Sequence, residues 1–113
     1  MNEKEEIKAE VINFLETFHI HIGKKININE ALCTNRDSFN RHFTTYSSTE
    51  FELREFSARV SGARIMFIGE TLHYEISIDR IIKFDKSVDN FIFIEKYSEE
   101  IYRKTIVSLD QKI

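Results

Sequence analysis

From Leu72 to Asp79 the run LHYEISID alternates without exception, Leu72, Tyr74, Ile76 and Ile78 against His73, Glu75, Ser77 and Asp79. Only an extended backbone sends every second side chain to the same face, so the run predicts a strand with one apolar face and one polar face. A chain that carries such a segment cannot be all helix.

The flanking sequence continues in the same mode. FELREFSARV and ARIMFI enclose Ser61 and Gly62, a two-residue hairpin signal in which glycine supplies a positive φ. IIKF and NFIFIEKY enclose DKSVD, and IYRKTIVSL supplies a last strand. Strands joined by turns this short pair antiparallel, because a parallel partner needs a long crossover.

Before Phe51 the period is different. Ile7, Val11, Phe14, Leu15, Phe18 and Ile22 fall at i, i+4, i+7, i+8, i+11 and i+15, one stripe of an amphipathic helix. Asn2 is placed to cap it with Glu5 three residues on, and Glu3, Glu5 and Glu6 suit the positive end of the helix dipole. Gly23 can adopt a left-handed terminus, and Lys24 and Lys25 follow it. NINEALC and RDSFNRHFTTY read as two short helices, or as one interrupted near Thr34 and Asn35, with Phe39 and Phe43 anchoring the second; TTYSST reads as a loop.

The expected architecture is therefore α+β: N-terminal helices over about 3–46 packed on a curved antiparallel sheet of four to five strands over about 51–109, in a single domain spanning 1–113. Apolar residues make up 42% of the chain, enough to offset conformational entropy, and Cys33 is the sole cysteine, so no internal disulfide contributes. The acidic start MNEKEE is the opposite of a signal peptide's basic opening, and no apolar run approaches the roughly 20 residues of a membrane helix. A cytoplasmic protein with no membrane partner is expected. Sixteen basic and 19 acidic residues are interspersed, for a net charge of −3. A phosphate-backbone binder concentrates its cations on one face, so no nucleic-acid partner is expected.

Motifs exclude more than they assign. Gly23, Gly62 and Gly69 form no phosphate-binding loop, no nucleophile elbow is present, and no cofactor signature is visible. FHIHIGKK poses a choice. On a helix His19 and His21 point about 200° apart and cannot share a metal; on a strand they share a face. With no third ligand at a recognised spacing, no metal site is expected, and the segment reads as a helix end. EALCTNRDSFNRHF resembles the first helix-turn-helix of AraC-type regulators in Ala31, Leu32, Phe39, Arg41 and Phe43, but the strands that follow leave no second such motif. DNA binding of that kind remains a remote alternative.

The polar row of the LHYEISID strand holds the candidate ligand-binding residues His73, Glu75 and Ser77, with Tyr97 on a neighbouring strand. If that face lines a cavity, desolvation moves imidazole and carboxylate groups toward acid–base use; if it faces water, the row is the ordinary solvated side of an antiparallel sheet. No catalytic residue is identifiable.

RIIKFDKSVDNFIFIEKY, Arg80 to Tyr97, resembles the closing hairpin of the nuclear transport factor 2-like cone fold, in particular its SnoaL-type members, and ARVSGARIMF resembles an earlier hairpin of it. The resemblance implies a pocket between the helices and the concave sheet face, homodimerisation through the other face, and isomerase-type chemistry, ligand binding or pure interaction. Two functions are carried forward: a small ligand-binding or weakly isomerase-like protein, and a non-enzymatic module that binds itself or another protein through its sheet. A closed pocket lined by His73 favours the first, and a filled core with these residues in solvent favours the second.

Overall fold

The computed structural model describes residues 3–34, 43–59 and 63–109. The helix α1 spans Glu3–Thr17 and tightens into a 3-10 turn at Phe18–His21. Eight strands follow: β1 (Lys25–Cys33), β2 (Phe43–Glu52), β3 (Glu55–Arg59), β4 (Arg64–Ile68), β5 (His73–Ser77), β6 (Ile81–Lys86), β7 (Asn90–Ser98) and β8 (Ile101–Leu109). They form a five-stranded sheet in the order β2-β1-β8-β7-β6 and a three-stranded sheet in the order β3-β4-β5, every pairing antiparallel.

The α+β class and the strands after Phe51 match the sequence reading. The helical reading of 26–46 does not hold where residues are described: NINEALC lies in β1, and Phe43–Glu52 is a ten-residue strand, while 35–42, with most of RDSFNRHF, lie outside the described residues. Ile26 and Ile28 alternate with Asn27 and Asn29 in β1, a period of two that Glu30 and the helix-favouring Ala31 and Leu32 obscure. Among the described residues there is thus one N-terminal helix, and a five-stranded sheet is joined by a second, three-stranded one where the sequence predicts a single sheet of four to five strands. Of the residues that carry the AraC-like match, Ala31, Leu32 and Phe43 are extended; Phe39 and Arg41 lie outside the described residues, as does the Ser61-Gly62 turn.

The two sheets meet at two corners. At one, β2 passes into β3 through Leu53 and Arg54, and the backbone groups that leave the ladder are paired: Gly23 N–H donates to the Leu53 carbonyl at 2.7 Å, Leu53 N–H to Lys24 at 2.9 Å, and Arg54 N–H to Ile68 at 2.8 Å. Gly23 has φ +93°, which glycine adopts without a Cβ clash. Gly69 is required for space, because a Cβ there would lie 2.6 Å from the Phe51 ring. At the other corner β5 passes through a 3-10 turn, Ile78–Arg80, into β6.

Between the sheets lies the main core. The large sheet contributes Ile26, Ile28, Phe84, Phe93 and Val107, the small sheet Ile65, Phe67 and Ile76, and the helical segment Val11, Phe14 and Phe18. Phe14 is the hub, its ring 4.8 to 6.3 Å from those of Phe18, Phe56, Phe67, Phe84, Phe91 and Phe93, several of them edge-on as ring quadrupoles favour. A second apolar cluster, Ala31, Cys33, Ile94 and Tyr102 with Ile82 against it, belongs to the opposite face of the large sheet, as the register requires.

The helix end answers the choice posed by FHIHIGKK. His19 and His21 sit in the 3-10 turn, His19 exposed and His21 packed on Phe18 with ring centroids 5.0 Å apart. The Nδ1 of His21 is buried with no hydrogen-bond partner. Burial, and secondarily the Lys24 charge, lower its pKa. The unfolded chain then binds the proton more readily than the folded one, so stability rises with pH through the range just below the ordinary 6.5 and is lost as pH falls. In His21→Gln the midpoint of acid unfolding followed by circular dichroism is expected to lie at lower pH than in the parent; an equal or higher midpoint contradicts this.

Candidate functional site

The interior is polar at one end. β1, β7 and β8 alternate, so the face that carries Ile28, Phe93 and Val107 also carries Glu30, Glu95, Arg103 and Thr105. Glu95 is fully buried. Its Oε1 accepts from Arg103 Nε at 2.8 Å and lies 2.7 Å from Nη2 in the same ion pair, and its Oε2 accepts from the Tyr97 hydroxyl at 2.7 Å and from the Ser77 backbone N–H at 2.9 Å. Arg103 donates further from Nη2 to the Glu75 carbonyl at 2.6 Å and from Nη1 to Glu30 Oε2 at 3.2 Å. Tyr74 completes the cluster: its hydroxyl donates to Glu30 Oε2 at 3.1 Å and, its one proton so used, accepts from Thr105 Oγ1 at 2.7 Å.

This network ties the sheets together, since Tyr74, Glu75 and Ser77 belong to β5 and the others to the large sheet. It also closes the second corner. The N–H of Ser77, at the last position of β5, finds its acceptor in the Glu95 carboxylate. The Arg103 guanidinium sits 5.0 Å from the Tyr74 ring centroid and 5.6 Å from that of Tyr97, and Arg80 covers Tyr97 at 4.8 Å. Burial, followed by the hydrogen bond and charge of Glu95, pushes the Tyr97 phenol up to about 12; burial likewise raises Tyr74. Both phenols remain neutral donors at physiological pH.

The four candidate residues divide. Tyr97 joins the network through its hydroxyl, Ser77 through its N–H and Glu75 through its carbonyl. The side chains of His73 and Glu75 lie away from the core, on the same side of β5, with His73 Nε2 3.3 Å from Glu75 Oε2 and Arg64 Nε 4.0 Å from Glu75 Oε1. Side chains occupy the face of β5 that meets the core: Ile76 is fully buried, and Tyr74 packs against the core. Grooves of about 160, 360 and 500 Å³ run along α1, and one of about 210 Å³ borders the first corner; none of these has His73, Glu75, Ser77 or Tyr97 in its walls. No group of three or more His, Cys, Asp or Glu placed to hold a metal occurs among the described residues, and no described helix is long and apolar enough to cross a membrane.

Sequence reasoning missed Glu30, Glu95 and Arg103. Each occupies a core-facing position of an alternating strand, where an apolar residue is expected, and that mismatch is the signal that marks them. Comparison with known proteins gives no match, whether to a protein-family model, a curated protein or a solved structure.

Proposed function

We propose that the chain is a non-enzymatic interaction module that associates with a second copy of itself through the outer face of its five-stranded sheet. The observation that carries this reading is the state of Arg103. Its Nε, Nη1 and Nη2 are all engaged by acceptors of the chain itself, leaving the most obvious ligand-binding group of the interior committed to holding the sheets together. The interior beside it is filled by side chains of both sheets and α1.

The outer face offers what the interior does not. Ile92 and Ile106 are opposite one another and only half-buried, next to the cluster of Ala31, Ile94, Tyr102 and Ile82. Lys83, Asp85, Lys96 and Lys104 accompany them on the neighbouring positions, an apolar band with a charged rim. Association through this face is also what the resemblance of Arg80 to Tyr97 to the cone-fold hairpin implies. A two-fold contact is the commonest way for such a band to become covered.

Light scattering at micromolar concentration tests the proposal. The expected mass is at least twice the 13.4 kDa of the monomer, falling two-fold in Ile92→Asp with an unchanged circular dichroism spectrum. A wild-type mass of 13.4 kDa, or an Ile92→Asp variant that keeps the parent's mass, overturns it. Phe93→Asp serves as the contrast: Phe93 is fully buried between the sheets, so this substitution is expected to unfold the chain.

A further inference from the structure

The two edges of the five-stranded sheet are built differently. β6 is six residues long, carries Lys83, Asp85 and Lys86, and has an irregular register between Ile81 and Lys83. Charge, shortness and irregularity are the devices that keep an edge strand from pairing with another chain. β2, at the other edge, carries them only near its ends, a shift of register against Leu32 and Cys33 at its start and Glu50 and Glu52 at its close. It runs ten residues, roughly 34 Å at about 3.4 Å per residue, and the sequence FTTYSST from 43 to 49 holds no charge and no proline. Tyr46, Ser47 and Ser48 are exposed, and among the described residues no strand pairs with β2 on the side away from β1.

We propose that β2 is a second self-association surface, on which β2 of another copy adds antiparallel so that two five-stranded sheets become one of ten strands. Antiparallel pairing of identical strands is two-fold by construction, so the contact closes on itself. The charges of β2 select the register. Glu50 and Glu52 occupy one end only, and pairing centred between Ser47 and Ser48 places Glu50 opposite position 45 and Glu52 opposite position 43, where no acid stands. Pairing centred on Glu50 or Phe51 sets acid against acid, and like charges directly opposite destabilise a sheet. The seam therefore falls in the uncharged Ser/Thr stretch, where backbone hydrogen bonds supply the attraction, as in other strand additions.

The contact rests on the reading of this sheet as an association surface but uses its edge; Ser48 stands two strands from Ile106 in the same row, through Asn29, so it is the restoration of mass on mixing oppositely charged variants that separates the edge contact from a disturbed face contact. The test is a pair of double variants, Ser47→Lys with Ser48→Lys and Ser47→Glu with Ser48→Glu, both at exposed positions that folding tolerates. Each alone is expected to halve the mass seen by light scattering while circular dichroism stays native, and an equimolar mixture of the two is expected to restore the parent's mass. A Lys variant that keeps the parent's mass overturns the edge contact, as does a loss of mass that mixing does not restore. Either outcome leaves the Ile92→Asp result, and with it the face contact, to stand or fall separately.

Discussion

Arg103→Leu is expected to destabilise the fold by about 3–5 kcal/mol, the cost of removing one partner from a buried ion pair, and so to lower Tm by roughly 15 °C. The argument runs through Glu95. Its side chain is entirely shielded from water, while Arg103 retains some exposure, so the loss falls on the carboxylate left behind. Arg103→Lys is expected to recover only part of it, because an ammonium cannot supply the planar fork that meets Glu95, Glu30 and the Glu75 carbonyl together. Removing both charges is not expected to rescue the fold as it does for some buried pairs, since Glu95 also accepts the Ser77 N–H. A backbone donor stranded at that corner costs about 1–3 kcal/mol by itself. Chemical denaturation of the three variants measures this directly, and an Arg103→Leu loss below about 1 kcal/mol contradicts the account.

Phe14→Ala is expected to cost about 3–5 kcal/mol, the range for truncating a large aromatic in a packed core. Six phenylalanine rings, from the 3-10 turn, two strands of the small sheet and two of the large one, close on this side chain, so the surrounding elements cannot all move in to fill the space. Ile12→Ala, on the same helix but about half exposed, is the control and is expected to stay within about 0.5 kcal/mol of the parent. Equal effects at the two positions would mean that α1 does not dock by the face described.

What the sequence made legible follows from how local each signal is. The stripe from Ile7 to Phe18 needs only helical periodicity, and Val11, Phe14 and Phe18 are indeed buried; Ile22, its last member, is exposed because the tighter 3-10 turn rotates it off the stripe. β5 to β8 announce themselves by alternation or by apolar runs. β1 and β2 do not. β1 puts Glu30 toward the core, which is tolerable only because Arg103, 73 residues later, is there to receive it. That pairing has no trace in the local pattern. β2 lies at an edge, where serine and threonine are as suitable for a solvated strand as for a loop, so composition alone could not separate the two. The candidate site was legible in its neighbourhood more than in its members. Tyr97 is part of the network, whereas Ser77 and Glu75 enter through backbone atoms that a reading of side chains cannot weigh.

The order of the large sheet sets the sequence of events by which the protein can form. β8, the last of the described strands, lies in the middle, between β1 and β7. Before it is in place the β1-β2 and β6-β7 hairpins have no connection through the sheet, and both present bare inner edges. Ile26 must find Leu109 across nearly the whole sequence, the kind of distant closure that slows folding. The two half-sheets therefore wait for β8, and Arg103 arrives on that same strand, so the ionic tie between the sheets and the completion of the ladder come together.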